Sequence, residues 1–359
     1  MKKSNKNNTS LNEYFLLKME KEEQMLNNFE AKFPIKKIAI RDKNLWRYAE
    51  AIPLDQNNKI SFNEGFTPLL AEKIAGKTVF IKQEQLFSSG SYKDRGATVL
   101  ISKVQQLGIK KILNDSSGNA ACAIAAYAAK AKINCEIYVP ENTSAAKTNQ
   151  IKAYGATIKK IKGDREDTAN AAMKAAQKTY YASHCFNPWF FEGTKTFAFE
   201  VCEQLGWKAP DAVILPCGNG TLVLGCYKGF VQLAKAGVIT KIPKIIAIQA
   251  ANCSPLAEMF SKKLSEIPSI KKNITIAEGI AIANPPRAIQ IIDAIKKTNG
   301  FFIKVSETEI KKSWKEMALR GHFIEHTSAA TIAGLEKFLK NNDEKLVVSL
   351  FSGHGLKNH

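Results

Sequence analysis

With 359 residues, 45% of them hydrophobic and 24% charged, the chain is long enough to bury a large core and to divide into two domains. Its net charge of +19 is spread along predicted helices with no zinc-finger or RNP-type aromatic pattern, which weighs against nucleic acid as the partner and suits small anionic substrates. The opening "MKKSNKNNTS" leads into no apolar segment and no apolar run approaches bilayer length, so no membrane partner is expected and the chain reads as cytoplasmic.

Residues 11–33 combine helical apolar spacing with many charges and read as an amphipathic N-terminal extension. From Thr78 onward, short β-rich runs alternate with longer helical ones. "VFIKQE" precedes "DRGATVLISKVQQLG", "ILNDS" precedes "NAACAIAAYAAKAK", and "CEIYVP" precedes "SAAKTNQIKAYG". The alternation resumes with "AVILPC" and "LVLGCYKGFVQLAKAG", then "KIIAIQA", "FFIKVS" and "KLVVSLFS". Continuous apolar strands separated by helices predict an α/β protein with parallel sheets flanked by helices. The seven cysteines show no CxxC spacing and are expected to be reduced and mostly buried.

In such sheets ligands bind beyond the carboxyl ends of the strands, where loops enter helix N-termini. Three of these loops are built from Gly, Ser, Thr and Asn: "SSGSYK" at 88–93, "SSGN" at 116–119 and "CGNGT" at 217–221. The last follows a strand and opens a helix, so its backbone N–H groups would cradle a phosphate. It is not the dinucleotide fingerprint, because Val223 stands where the third Gly of GxGxxG belongs. Nor is "GKT" at 76–78 a Walker A loop, since Ala71 occupies the place of its first Gly. Lys93, at the start of a predicted helix, is set against the positive end of the helix dipole, a position suited to Schiff-base chemistry. An imine-forming lysine together with a phosphate cradle points to pyridoxal phosphate. His322 and His326 have the i, i+4 spacing of helical metal ligands, but no third ligand accompanies them and no metal is expected.

The segments "SGSYKDRGA", "SSGNAACAIAAYAAKA", "EGTKTFAFEVCEQLG", "PCGNGTLVLG", "EHTSAATIAGL" and "SGHGLK" together resemble the tryptophan-synthase-β, or fold type II, family of pyridoxal-phosphate enzymes. Within that family they are most similar to the threonine synthases, over a span from about residue 64 to the C-terminus. The resemblance implies two α/β domains: a leading segment over 1–63, a large cofactor-binding domain over 64–95 and 195–359, and a small mobile domain over 96–194. It implies that Lys93 holds the cofactor covalently and then moves protons, and that Asn119 bonds the cofactor's 3′-oxygen. Gly218, Asn219, Gly220 and Thr221, with Cys217 beginning the loop, would hold the cofactor phosphate. Ser352 would face the pyridine nitrogen, and a hydroxyl there implies a neutral ring.

For a threonine synthase the substrate would be O-phosphohomoserine, and the reaction a β,γ-elimination of phosphate followed by water addition. Ser116, Ser117 and Gly118 would then meet the substrate carboxylate, with Lys147 and Arg95 as candidate cations for its phosphate. The resemblance also implies a homodimer. The chain departs from the family's common "EPTSAA" form by carrying His326 at the proline position, and it lacks the cysteine-based N-terminal metal element of some members. Two alternatives stand beside this reading. One is another fold type II enzyme, such as a serine/threonine dehydratase or a cysteate or cysteine synthase; the other is a non-catalytic or nucleic-acid-binding protein.

Overall fold

A computed structural model describes residues 11–269 and 273–358, with the side chains of 11–15, 145–147 and 358 outside that description. Helices α1 (Leu11–Asn27) and α2 (Ile35–Ala39) lead to a hairpin of β1 (Leu69–Ile74) and β2 (Lys77–Lys82). Next come α3 (Lys93–Gln106), β3 (Lys111–Asn114), α4 (Asn119–Lys130), β4 (Asn134–Pro140), α5 (Ala145–Ala153), β5 (Thr157–Ile161), α6 (Arg165–Ala175) and β6 (Tyr180–Tyr181). Helices α7 (Pro188–Thr194) and α8 (Thr196–Gln204) return the chain to β7 (Ala212–Pro216), α9 (Thr221–Lys235), β8 (Lys244–Ala250) and α10 (Pro255–Ser261). The remainder runs through α11 (Ala288–Lys297), β9 (Phe301–Val305), α12 (Glu307–Leu319), α13 (His326–Asn341) and β10 (Val347–Leu350).

The strands form two sheets, one in the order β1-β2-β10-β7-β8-β9 and one in the order β5-β4-β3-β6. All pairings are parallel except β1 with β2. The β1–β2 hairpin turns on Ala75 and Gly76, both at positive φ, the backbone that matches strand twist in a two-residue loop. This antiparallel edge differs from the wholly parallel expectation, because a two-residue connection cannot cross over. Strands β1, β5 and β6 are the ones the apolar runs did not announce. Each lies at a sheet edge; in β1 and β5 one side meets water and residues such as Lys73, Lys159 and Lys160 are tolerated, while β6 is only two residues long.

The period of two along each central strand divides the core. In β7, Val213 and Leu215 pack with Phe197, Phe199 and Phe230 of α8 and α9, whereas Ala212 and Ile214 pack with Ile332, Leu335 and Phe338 of α13. The smaller sheet repeats the device: Ile112 faces α3 and α4, while Leu113 faces Met173 of α6. All seven cysteines are buried and none is in a disulfide. The N-terminal helix is docked, with Leu26 fully buried, Glu23 paired to Arg287 at 2.9 Å and Glu22 accepting a hydrogen bond from the Trp189 indole of α7.

Candidate active site

Four strand ends deliver the site. The segment after β2 reaches α3 at Lys93, that after β3 reaches α4 at Asn119, that after β7 reaches α9 at Thr221, and β10 ends just before Ser352. Lys93 is partly buried, and its Nζ donates to Tyr92 Oη at 2.6 Å and to Thr221 Oγ1 at 2.7 Å. It also lies 4.4 Å from the Tyr92 ring centroid and 5.9 Å from that of Phe190. The structure therefore joins two residues 128 positions apart: the amine and the first residue of the helix that follows the glycine loop.

That loop leaves no room for side chains at its glycines. A Cβ on Gly218 would fall 2.8 Å from the Gly279 carbonyl oxygen. One on Gly220, which has φ of +70°, would fall 2.3 Å from Ile291 Cδ1. Backbone amides are what such a loop can offer, at the positive end of the 15-residue α9. Asn219 Nδ2 lies 3.3 Å from His184 Nε2, and burial, with Lys93 nearby, pushes the His184 imidazole well below its usual range. His184 Nδ1 is buried with no hydrogen-bond partner among the described residues. A reachable amine and a side-chain-free amide cradle fit a phosphorylated aldehyde. Cys217 contributes differently from the expectation: its thiol is turned into the core and burial pushes it up to about 12, so only its backbone faces the loop.

At the other end of the site, Asn119 Nδ2 donates to Glu325 Oε2 at 2.8 Å, and Ser352 Oγ donates to Glu325 Oε1 at 2.8 Å. The "SSGN" loop partly satisfies itself: Ser116 N–H donates to Asn114 Oδ1 at 2.8 Å, and Gly118 N–H to Ser116 Oγ at 3.2 Å. This leaves the Ser116 hydroxyl and Ser117, rather than the amides of Ser116 and Gly118, to meet a ligand. Ser89 and Asp94 hold the 88–93 loop against the start of α3, and Lys357 Nζ ties it to α5 by donating to Ser89 O at 2.5 Å and Gln150 Oε1 at 2.8 Å.

Arg95 is a correction. It is fully buried and bonded to Glu84 at 2.6 and 2.8 Å, to Glu200 at 2.7 Å twice and to Thr196 at 3.0 Å, so it has no donor to offer a substrate phosphate. Residues two apart on a helix are separated by about 200°, which turns Arg95 inward when Lys93 faces the site. Lys147 lies on α5 with its side chain outside the described residues. Tyr92, His184 and Glu325 are the site residues that sequence reading missed, although Tyr92 and Glu325 stood inside the motifs already noted. His322 pairs with Glu72 at 3.0 Å, and His326 lies beside Trp314 with ring centroids 5.6 Å apart.

A family model described as "Pyridoxal-phosphate dependent enzyme" matches residues 60–353. The threonine synthase of Methanocaldococcus jannaschii is 37% identical over 334 residues, which are 89% of this chain and 82% of that protein. The threonine synthase of Methanosarcina acetivorans is 33% identical over 91% of this chain and 83% of its own length. Among solved structures, serine racemase from Dictyostelium discoideum superposes with a TM-score of 0.70 at 26% identity, covering 88% of this chain and 99% of that one.

Proposed function

The chain belongs to the pyridoxal-phosphate-dependent enzymes and uses pyridoxal phosphate as its cofactor, and from that premise we propose that it is a threonine synthase, converting O-phosphohomoserine and water into threonine and phosphate. The observation that supports the site is the 2.7 Å contact between Lys93 Nζ and Thr221 Oγ1, which brings an amine nucleophile to the mouth of the amide cradle. The threonine synthase relatives supply the choice of substrate.

In this reading the amides of Gly218, Asn219, Gly220 and Thr221 hold the cofactor phosphate, and Lys93 is the point of covalent attachment. When bound, the cofactor supplies an electron sink that acidifies the carbon next to the amino group. Lys93 then moves protons at the α and β carbons in turn, since one amine beside them reaches both. Tyr92 and Thr221 hydroxyls orient that amine from two sides. The hydroxyls of Ser116 and Ser117 take the substrate carboxylate, and Phe190 and His184 form a wall that limits water beside Lys93. Residues 96–194, which contain the whole four-stranded sheet, are the unit that closes. A homodimeric, cytoplasmic enzyme completes the proposal.

A second reading, a dehydratase or racemase of serine or threonine, is favoured by the likeness to serine racemase. Incubation with O-phosphohomoserine, threonine and serine in parallel separates them. Equal release of phosphate and threonine is expected; 2-oxoacid or D-amino acid without phosphate release would replace the first reading with the second.

A further inference from the structure

The N-terminal helix α1 takes no part in the chemistry described above, yet Arg287 ties it to the wall of the site. Arg287 stands just before α11 with its side chain buried. Its Nε donates to Cys185 O at 2.6 Å and its Nη2 to Phe186 O at 2.9 Å. In the other direction its Nη1 donates to both Glu23 oxygens at 2.9 Å and to Gln290 Oε1 at 2.7 Å. The guanidinium also lies 4.8 Å from the Phe191 ring centroid. Ile291 of α11 packs against Gly220, where a Cβ would fall 2.3 Å from its Cδ1. The start of α11 therefore touches both the amide cradle and the segment that carries His184 and Phe190.

We infer that Glu23 and Arg287 are positioning residues, through which α1 holds residues 184–190 over Lys93 and in register with the amide cradle. The inference rests on the attachment of the cofactor at Lys93 proposed above. A planar fork of five N–H groups suits this task, because it meets two carbonyls on one side and a carboxylate on the other. A buried cation needs a counter-charge, and Glu23 supplies it. Without Glu23 the guanidinium gains by turning toward water, and the carbonyls of Cys185 and Phe186 lose their donor. What those carbonyls hold is the wall itself. His184 precedes Cys185, its Nε2 lies 3.3 Å from Asn219 Nδ2, and its ring meets that of Phe190 edge-on at 6.1 Å. Phe190 in turn lies 5.9 Å from Lys93 Nζ. The rest of α1 keeps Glu23 within reach: Leu26 is fully buried, Leu16 packs against the cluster of Met173 and Phe186, and Glu22 accepts from the Trp189 indole.

The test reads shielding at Lys93 rather than turnover. Each holoenzyme is reduced with borohydride, the labelled lysine is identified by mass spectrometry, and acrylamide quenching of the reduced cofactor's fluorescence is measured below the onset of unfolding. Glu23→Ala is expected to raise the quenching constant at least about twofold as opening of the wall becomes more populated, with Glu23→Gln intermediate because it keeps one acceptor. Arg287→Lys keeps the charge but not the fork; it is expected to act in the same direction and stands in if Glu23→Ala does not fold. Asn27→Ala removes the contact of the same helix with Lys228 Nζ, 3.1 Å long, and is expected to leave quenching unchanged, which separates docking of α1 as such from its hold on Arg287. Label on Lys93 with quenching unchanged in Glu23→Ala and Arg287→Lys overturns the inference, as does an equal rise in Asn27→Ala. Label on another lysine overturns the proposed attachment and this inference with it.

Discussion

Replacing Arg95 by Met isolates the buried charge cluster beneath the site. In the wild type Arg95 and Lys82 face Glu84 and Glu200, two cations and two carboxylates, all with side chains fully removed from solvent. Lys82 Nζ reaches Glu200 at 2.9 Å and Thr67 Oγ1 at 2.8 Å, and Thr67 donates to Glu84 at 2.6 Å. Burial alone would push the Glu200 carboxyl up, yet Arg95 and Lys82 hold it down at about 2. Methionine nearly preserves the stem volume but leaves two carboxylates facing one lysine, an uncompensated buried charge. Breaking a buried pair in this way costs about 3–5 kcal/mol. The double variant Arg95→Met, Glu200→Met restores neutrality, so its loss should be smaller than the sum of the single losses by at least about 1 kcal/mol. Urea unfolding of the four proteins, followed by circular dichroism, gives the cycle. A single-variant loss below about 1 kcal/mol, or strict additivity, would refute the charge-balance argument. A change in KM for O-phosphohomoserine with stability intact would return Arg95 to the substrate site.

Lys93→Ala should abolish borohydride-trapped cofactor, read by mass spectrometry, and lower turnover by about 10²–10⁴-fold or more. Gly96→Ala would set a Cβ 2.4 Å from the Phe190 ring and should cost about 1–3 kcal/mol, seen as a lower Tm, while disturbing the wall beside Lys93. Burial raises the Asp94 carboxyl to about 7, with its Ser89 hydrogen bonds opposing the shift. Below about pH 4 both folded and unfolded states carry that proton, between about 4 and 7 only the unfolded state releases it, and above 7 the penalty is constant. Stability from this group therefore declines as pH rises from about 4 to 7, and Asp94→Asn should flatten that part of the Tm-against-pH curve; an unchanged slope would show that Asp94 does not titrate there.

The parts of this protein that local chemistry dictates were legible in its residues. Alternating apolar runs announced β2, β3, β4, β7, β8, β9 and β10, because strand and helix periodicities are written in nearest neighbours. Lys93 at a helix start and the "CGNGT" bend are equally local, since glycine at positive φ and an amine at the first turn need only a few adjacent residues. The edge strands β1 and β5 escaped because solvent exposure removes the apolar signal, and β6 because two residues carry no readable period.

The tertiary structure alone decided who pairs with whom. It put Tyr92 against Thr221 across 129 positions, and it withdrew Arg95 from the substrate into an ion cluster with Glu84 and Glu200. It likewise set Glu325 between Asn119, 206 positions away, and Ser352. Whether a charged side chain meets a ligand or a buried counter-ion depends on which distant segments the closed chain brings within about 3 Å, and that distance is fixed by packing rather than by any run of neighbouring residues.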